Sequence, residues 1–234
     1  MSLLVISRCY FPPQEVELFS GHMMATARRV GLEPLRFGIG EQMSTHGGSG
    51  EGPGALAVLE SRTEEVVLCC DSMDVAFLAG EEEILEKFSH MNSDFVVSGE
   101  MCALHNMEKS SARLQLYPGY FKEINVGLWI GKRTHAIEVL RYAIDHYRYH
   151  DDTHGQDTLQ TWLPLMYVEG GGPEFEIDRD CYLFQSMNRV HLGDFVFKNK
   201  RMVNIVTGSY PVALHYNGDK SRSSYFEMVK RLTA

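Results

Sequence analysis

The stretch Val66-Val67-Leu68-Cys69-Cys70-Asp71-Ser72-Met73-Asp74-Val75 decides how the rest of the chain is read. Its five leading apolar residues suit a strand buried on both faces, the habit of a parallel sheet covered by helices. The run ends on Asp71, and a second carboxylate follows three residues later at Asp74. In open α/β sheets, ligands bind beyond the carboxyl ends of the strands. Two carboxylates held close there repel each other, and an oxygen-seeking divalent cation relieves the repulsion. The plainer reading has Asp71 capping a turn and Asp74 in solvent, since Asp is a favoured capping residue. A nucleophilic aspartate of a phosphohydrolase also follows a buried strand. The second Asp and the Gly-Thr expected with it are missing here.

Working outward, residues 3–7 form another short apolar run, closed by Pro12 and Pro13. Leu18, Phe19, Met23, Met24 and Ala27 recur at helical spacing within 16–30. Leu35 and Phe37 suggest a short strand, and the glycine-dense segment up to Gly54 reads as loop. Residues 55–59 read as helix, and Ile84, Leu85, Phe88 and Met91 mark another helix face. Strands are expected at 95–98 and 125–130, and a helical stripe at Ala136, Val139, Leu140, Ala143 and Tyr147. A helix over 158–163 is expected to stop at Pro164. Short strands are expected at 175–177, 195–197 and 212–214. Strands alternating with helices predict an α/β fold with a mostly parallel sheet. Neither a repeat nor a linker breaks the pattern, so residues 1–234 are expected to form a single domain.

The chain has 234 residues, 44% apolar and 23% charged, which fits a globular protein and excludes a disordered one. Asp and Glu number 31 against 22 Lys and Arg, for a formal charge of −9. That balance argues against a nucleic-acid groove or an anionic-membrane binder. It leaves room for a phosphate-bearing ligand whose charge a bound cation offsets. The five cysteines form no CxxC pair, so no zinc knuckle or thioredoxin motif is present. The N-terminus shows neither a basic leader nor a long apolar segment, and no run is long enough to span a membrane. A cytoplasmic protein without a transmembrane segment is expected.

Further pieces then fall in order. Ser98-Gly99-Glu100 is followed by Cys102, and Tyr117-Pro118 by Ile124-Asn125-Val126-Gly127-Leu128-Trp129-Ile130-Gly131. Asp178 is followed by Cys181 and Phe184-Gln185, and His215-Tyr216-Asn217-Gly218 by Lys220. With the acidic pair, these motifs resemble the glycosyltransferase domain of the procollagen lysyl hydroxylases, to which the collagen galactosyltransferases are related. The corresponding family motifs are Ser-Ala-Glu, Leu-Asn-Ser-Gly-Gly-Phe-Ile-Gly, Ile-Phe-Gln and His-Gly-Asn-Gly…Lys. The resemblance runs from Leu4-Val5-Ile6-Ser7 nearly to the end of the chain. It implies no iron or oxoglutarate chemistry, because the hydroxylase part of those proteins is not matched.

The resemblance implies a GT-A fold, a Rossmann-like sheet flanked by helices that binds a nucleotide-sugar with a divalent metal, Mn2+ or Mg2+. Asp71, Asp74 and His215 match the family's three metal ligands. Ser7, Met73, Asn125, Gly127, Gln156, Asn217, Gly218 and Lys220 match positions lining the donor. Under this reading Lys220 places a point charge on the phosphates. Gly218 allows close backbone approach or a positive φ. The Asn125 amide reaches sugar hydroxyls, and Gly127 makes room for them. The plainer alternatives are an ordinary buried histidine at 215, a surface lysine at 220, and a bulge or tight turn around Asn125 and Gly127. In Asp151-Asp152-Thr153-His154-Gly155-Gln156-Asp157, Asp152 or Asp157 is a candidate base for an acceptor hydroxyl. The same acids would also suit a solvated helix start.

Departures from the family motif touch the donor pocket. Met73 stands where the family stacks an aromatic on uracil, Tyr10 where it has a small polar residue, and Val126 where it has Ser. A kept metal triad with altered base contacts permits another nucleotide or sugar. The expected partners are a UDP-sugar carrying galactose or glucose, and an acceptor hydroxyl on a glycan or a protein-linked group. Two competing functions stay open. A sugar-nucleotide nucleotidyltransferase shares the sheet and the metal, but Arg8-Cys9-Tyr10-Phe11-Pro12-Pro13 lacks the Gly-rich basic loop it needs. A non-catalytic nucleotide-sugar-binding module is the other.

Overall fold

The structure, a computed structural model, describes residues 1–41, 51–102, 114, 116, 118–148, 158–199, 201–218, 227, 229, 230 and 232. A six-stranded sheet forms its centre, in the order β2-β1-β3-β6-β5-β7. The strands are β1 (Leu3–Arg8), β2 (Leu35–Phe37), β3 (Val66–Asp71), β5 (Phe95–Glu100), β6 (Glu123–Lys132) and β7 (Glu176–Asp178). β1 pairs parallel with β2 and β3, and β5 with β7, while β6 runs antiparallel to both of its neighbours. The mostly parallel sheet expected from the apolar runs is therefore present, with β6 reversed.

The burial of β3 explains its composition. Val67 and Cys69 point into a core shared with α2 (Glu51–Glu60), α4 (Arg133–Tyr147) and α5 (Leu159–Glu169). Val66, Leu68 and Cys70 point the other way, onto Met23 and Ala27 of α1 (Val16–Arg29) and Ile84 of α3 (Glu81–Ser89). Successive side chains of a strand face opposite sides, so a strand covered on both must be apolar at every position.

A smaller three-stranded sheet carries the rest of the site. It joins β4 (Val75–Phe77), β11 (Ala213–His215) and β8 (Phe184–Ser186). β11 runs antiparallel to β4 and parallel to β8. β9 (Phe195–Lys198) and β10 (Arg201–Asn204) form a separate antiparallel pair. The strands β4, β8 and β10 were not among those expected, although the equally short β2, β7, β9 and β11 were.

Two expectations are corrected. α2 starts at Glu51, so Gly52, Pro53 and Gly54 are helical and not loop. Pro53 lies in the first turn, where its missing N–H has no partner to lose. α5 runs through Pro164 to Glu169 and does not stop there. Its residues 161–166 are all buried, and that packing outweighs the hydrogen bond that Pro164 cannot donate. Among the described residues, no helix is long and apolar enough to cross a membrane.

Candidate metal centre and donor site

Topology gathers the polar residues at one edge of the sheet. The parallel strands β1, β3 and β5 end there on Arg8, Asp71 and Glu100. β6 runs the other way, so its first residues arrive at that same edge. Val97 pairs with Trp129 and Ser98 with Asn125, which leaves Val126, Gly127 and Leu128 as extra residues on the β6 side. The bulge thus accompanies the candidate donor residues Asn125 and Gly127. Its freed backbone groups find side chains, as buried backbone must. The Val126 N–H donates to Gln160 Oε1 at 2.9 Å, and the Val126 carbonyl accepts from Arg8 Nη2 at 2.9 Å. The Gly127 N–H donates to Asn125 Oδ1 at 2.9 Å.

His215 comes from 141 residues further along than Asp74, and the β4–β11 pairing brings them together. His215 sits opposite Val75, and the Tyr216 N–H donates to the Asp74 carbonyl at 2.8 Å. The His215 ring is 3% exposed. Its Nε2 lies 3.2 Å from Asp71 Oδ2 and 3.3 Å from Asp74 Oδ1. One ligand atom from each of the three residues falls within 4.8 Å of the others, the one such group among the described residues. The opposite ring nitrogen, Nδ1, lies 2.9 Å from Asn125 Oδ1. Asn125 is itself oriented, because its Nδ2 donates to Glu100 Oε2 at 2.6 Å. Its amide oxygen therefore faces the ring, and Nδ1 must be the protonated nitrogen. The Nε2 lone pair is left for the space between the aspartates. A histidine whose far nitrogen is held by a polar partner is the usual arrangement at a metal.

The donor set fits a divalent cation on its own chemistry: two carboxylate oxygens and one imidazole nitrogen converge with single-atom approaches. The electrostatics agree. Burial alone would push His215 down, but Asp74 and Asp71 raise it to about 10. Burial alone would raise Asp71, but Arg8 and then His215 hold it down at about 2. The raised His215 favours a proton between these groups, the place that a divalent cation would take.

The candidate donor residues are placed unevenly. The space that Gly127 leaves is filled by the His215 ring, 2.0 Å from where a Cβ would stand. Gly218 has φ +89°, a conformation that favours glycine, and its α-carbon faces Asn188. Asn217 Oδ1 accepts from Ser186 Oγ at 3.0 Å. Met73 is half-buried in the turn between the two aspartates, and Ser7 is wholly buried in β1 opposite Cys70. Asp152, Gln156, Asp157 and Lys220 lie outside the described residues. Glu100 and Arg8 were not singled out as site residues from the sequence. Glu100 stands in the Ser98-Gly99-Glu100 motif of the resemblance without a role attached to it, and Arg8 directly follows the apolar run 3–7.

Asp178, quoted in the resemblance, has a structural task. It is buried, and its carboxylate accepts the backbone N–H groups of Tyr182, Leu183 and Phe184. It closes the turn that carries Cys181 at φ +51° into β8.

An uncharacterized protein of Acanthamoeba polyphaga mimivirus is 27% identical over 186 residues, covering 76% of this chain and 37% of that one. Procollagen-lysine,2-oxoglutarate 5-dioxygenase 1 of Rattus norvegicus is 27% identical over 199 residues, 77% of this chain and 26% of that protein. The chain thus spans between a quarter and two fifths of these relatives' lengths. The crystal structure of a glycosyltransferase involved in the glycosylation of the major capsid of PBCV-1 superposes with a TM-score of 0.57 at 12% identity. It covers 97% of this chain and 98% of its own, so the two share the GT-A fold. The family model described as the PLOD GT domain matches residues 39–227, most of the sequence, and the chain belongs to that family of glycosyltransferase domains.

Proposed function

We propose that this chain is a divalent-metal-dependent hexosyltransferase that moves galactose or glucose from a UDP-sugar to a hydroxyl of a glycan or protein-linked acceptor. The observation that carries the reading is the convergence of Asp71, Asp74 and the His215 Nε2 at the carboxyl edge of the sheet. Bound there, Mn2+ or Mg2+ would supply Lewis-acid stabilisation of the diphosphate that leaves as the glycosidic bond breaks. The protein's share of the work is positioning. Asp71 and Asp74 offer one oxygen each, and Asn125 keeps the His215 lone pair turned toward them. Met73 would border the nucleoside, and Asn217 and Gly218 the phosphates, with Lys220 adding a point charge. Gln156 and Asp157 would contact the donor sugar, and Asp152 or Asp157 would take the acceptor proton. The five cysteines are all free, which supports a reducing, cytoplasmic setting for a single-domain enzyme.

A thermal-shift panel of nucleotides, with and without Mn2+, tests this reading. UDP with Mn2+ is expected to raise the melting temperature, and Asp74→Ala is expected to remove that shift together with donor hydrolysis. Stabilisation by another nucleotide but not by UDP would reject the donor. Release of pyrophosphate in place of UDP would point to a nucleotidyltransferase, and binding without turnover to a non-catalytic module.

A further inference from the structure

Arg8 occupies the end of β1 directly opposite Asp71 in the strand register. It is 5% exposed, and its guanidinium is forked between two carboxylates. Nη2 lies 2.6 Å from Asp71 Oδ1, and Nη1 lies 2.7 Å from Glu51 Oε1. Nη2 also donates to the carbonyl of Val126 in the bulge at 2.9 Å. A planar guanidinium held at three points locks its partners in a way that a flexible ammonium does not. Burial works against the charge on Arg8, but Asp71 and Glu51 keep it protonated. The two oxygens of Asp71 are therefore unequal. Oδ1 is committed to Arg8, and Oδ2 is the one that faces His215 Nε2.

We propose that Arg8 sets the cation preference of the centre by restricting Asp71 to one-oxygen ligation. The inference rests on the divalent-ion site proposed above and concerns which ion that site takes. Ca2+ is satisfied by six to eight oxygens and gains from bidentate carboxylates, whereas smaller octahedral ions take single donors and fill their other positions with water or phosphate. With Oδ1 withdrawn, the described residues offer Asp71 Oδ2, the Asp74 carboxylate and His215 Nε2, one oxygen fewer than two free carboxylates would give. That set suits Mn2+ or Mg2+ and handicaps Ca2+. Glu51, the first residue of α2, holds the far side of the fork and keeps Arg8 from swinging away from Asp71.

The test is calorimetric titration of the full chain with MnCl2 and with CaCl2, for wild type, Arg8→Met/Glu51→Gln and Arg8→Lys. The double variant avoids leaving Glu51 buried without its partner. Wild type is expected to bind Mn2+ at least about tenfold more tightly than Ca2+, because Asp71 offers Ca2+ one oxygen and not two. In the double variant that ratio is expected to shrink by about fivefold or more, as Asp71 Oδ1 becomes free for Ca2+. Arg8→Lys keeps the charge but loses the fork, and its ratio is expected to fall as well. If Arg8 acted through charge alone, both affinities would shift together and the ratio would hold. A ratio unchanged in whichever variant folds overturns the inference, and so does wild type binding both ions equally. Wild type that binds neither ion removes the metal site itself, a failure distinct from the other two.

Discussion

Gly127→Ala adds one methyl to the wall of the proposed metal centre, against the His215 ring. The new carbon would stand 2.0 Å from His215 Cε1, 2.4 Å from Nδ1 and 2.7 Å from Nε2. Carbon atoms settle at about 3.5–4.0 Å, so the ring must withdraw by roughly 1.5 Å. Nothing in the backbone opposes alanine, since Gly127 is not among the residues with positive φ. Replacing a glycine in a conformation that alanine tolerates would by itself stabilise by about 0.4–1 kcal/mol. Overpacking costs about 1–3 kcal/mol, and at 2.0 Å it decides the sign. The effect on the metal is larger than the effect on stability. Ligand distances tolerate about 0.2 Å, so a ring displaced by several times that no longer ligates. Mn2+ affinity is expected to fall by at least the roughly 10–100-fold seen when a ligand histidine loses its orientation. The measurements are calorimetric titration with Mn2+ and thermal melts with and without the ion. Gly127→Ala/His215→Ala should recover the melting temperature of a His215→Ala protein without recovering the metal. If Gly127→Ala binds Mn2+ as wild type does, the close seat of the ring against β6 is not what positions His215, and the reasoning fails.

Asn125→Ala removes the acceptor that fixes the His215 tautomer, and donor-free Mn2+ affinity is expected to drop by about 10–100-fold. An unchanged affinity would show that Asn125 does not position the His215 ring for a cation. For the metal-free protein, the raised His215 contributes stability that is complete below its ordinary 6.5 and is lost as pH rises toward about 10. The depressed Asp71 contributes stability that is present above its ordinary 3.8 and is lost as pH falls toward about 2. Denaturant melts of metal-free protein should therefore weaken between pH 7 and 10, while Mn2+ affinity rises over that window as the competing proton leaves. A flat profile in both measurements would remove His215 from the centre.

The strand and the acidic pair were legible because they are local. A continuous apolar run of five residues suits a strand covered on both faces, and the carboxylates that follow it inherit the position of its end. The same locality made the long helices readable, while β4, β8 and β10 are defined by the strands they pair with more than by a pattern of their own. Locality failed at Pro164, where the propensity of one residue gave way to the burial of a whole helix face. At the site, Asp71 and Asp74 could be proposed from spacing, whereas His215 was carried by the resemblance of its flanking motif. Gly127 was anticipated as room for a sugar, but the room is taken by a ring from a strand far along the chain.

What the sequence determined by itself is the covered sheet, its carboxyl edge as the place for chemistry, and an acidic pair there that invites a cation. The tertiary structure decided the rest. The reversal of β6 brings Asn125 and Gly127 to the edge where β3 ends, and the β4–β11 pairing delivers His215 between the aspartates. The alignment of β1 with β3 sets Arg8 against one oxygen of Asp71. The physical reason is that apolar periodicity is written in neighbouring residues. Hydrogen bonds and charge pairs among residues 8, 51, 71, 125 and 215 exist only after strand order and register have set which chain ends meet.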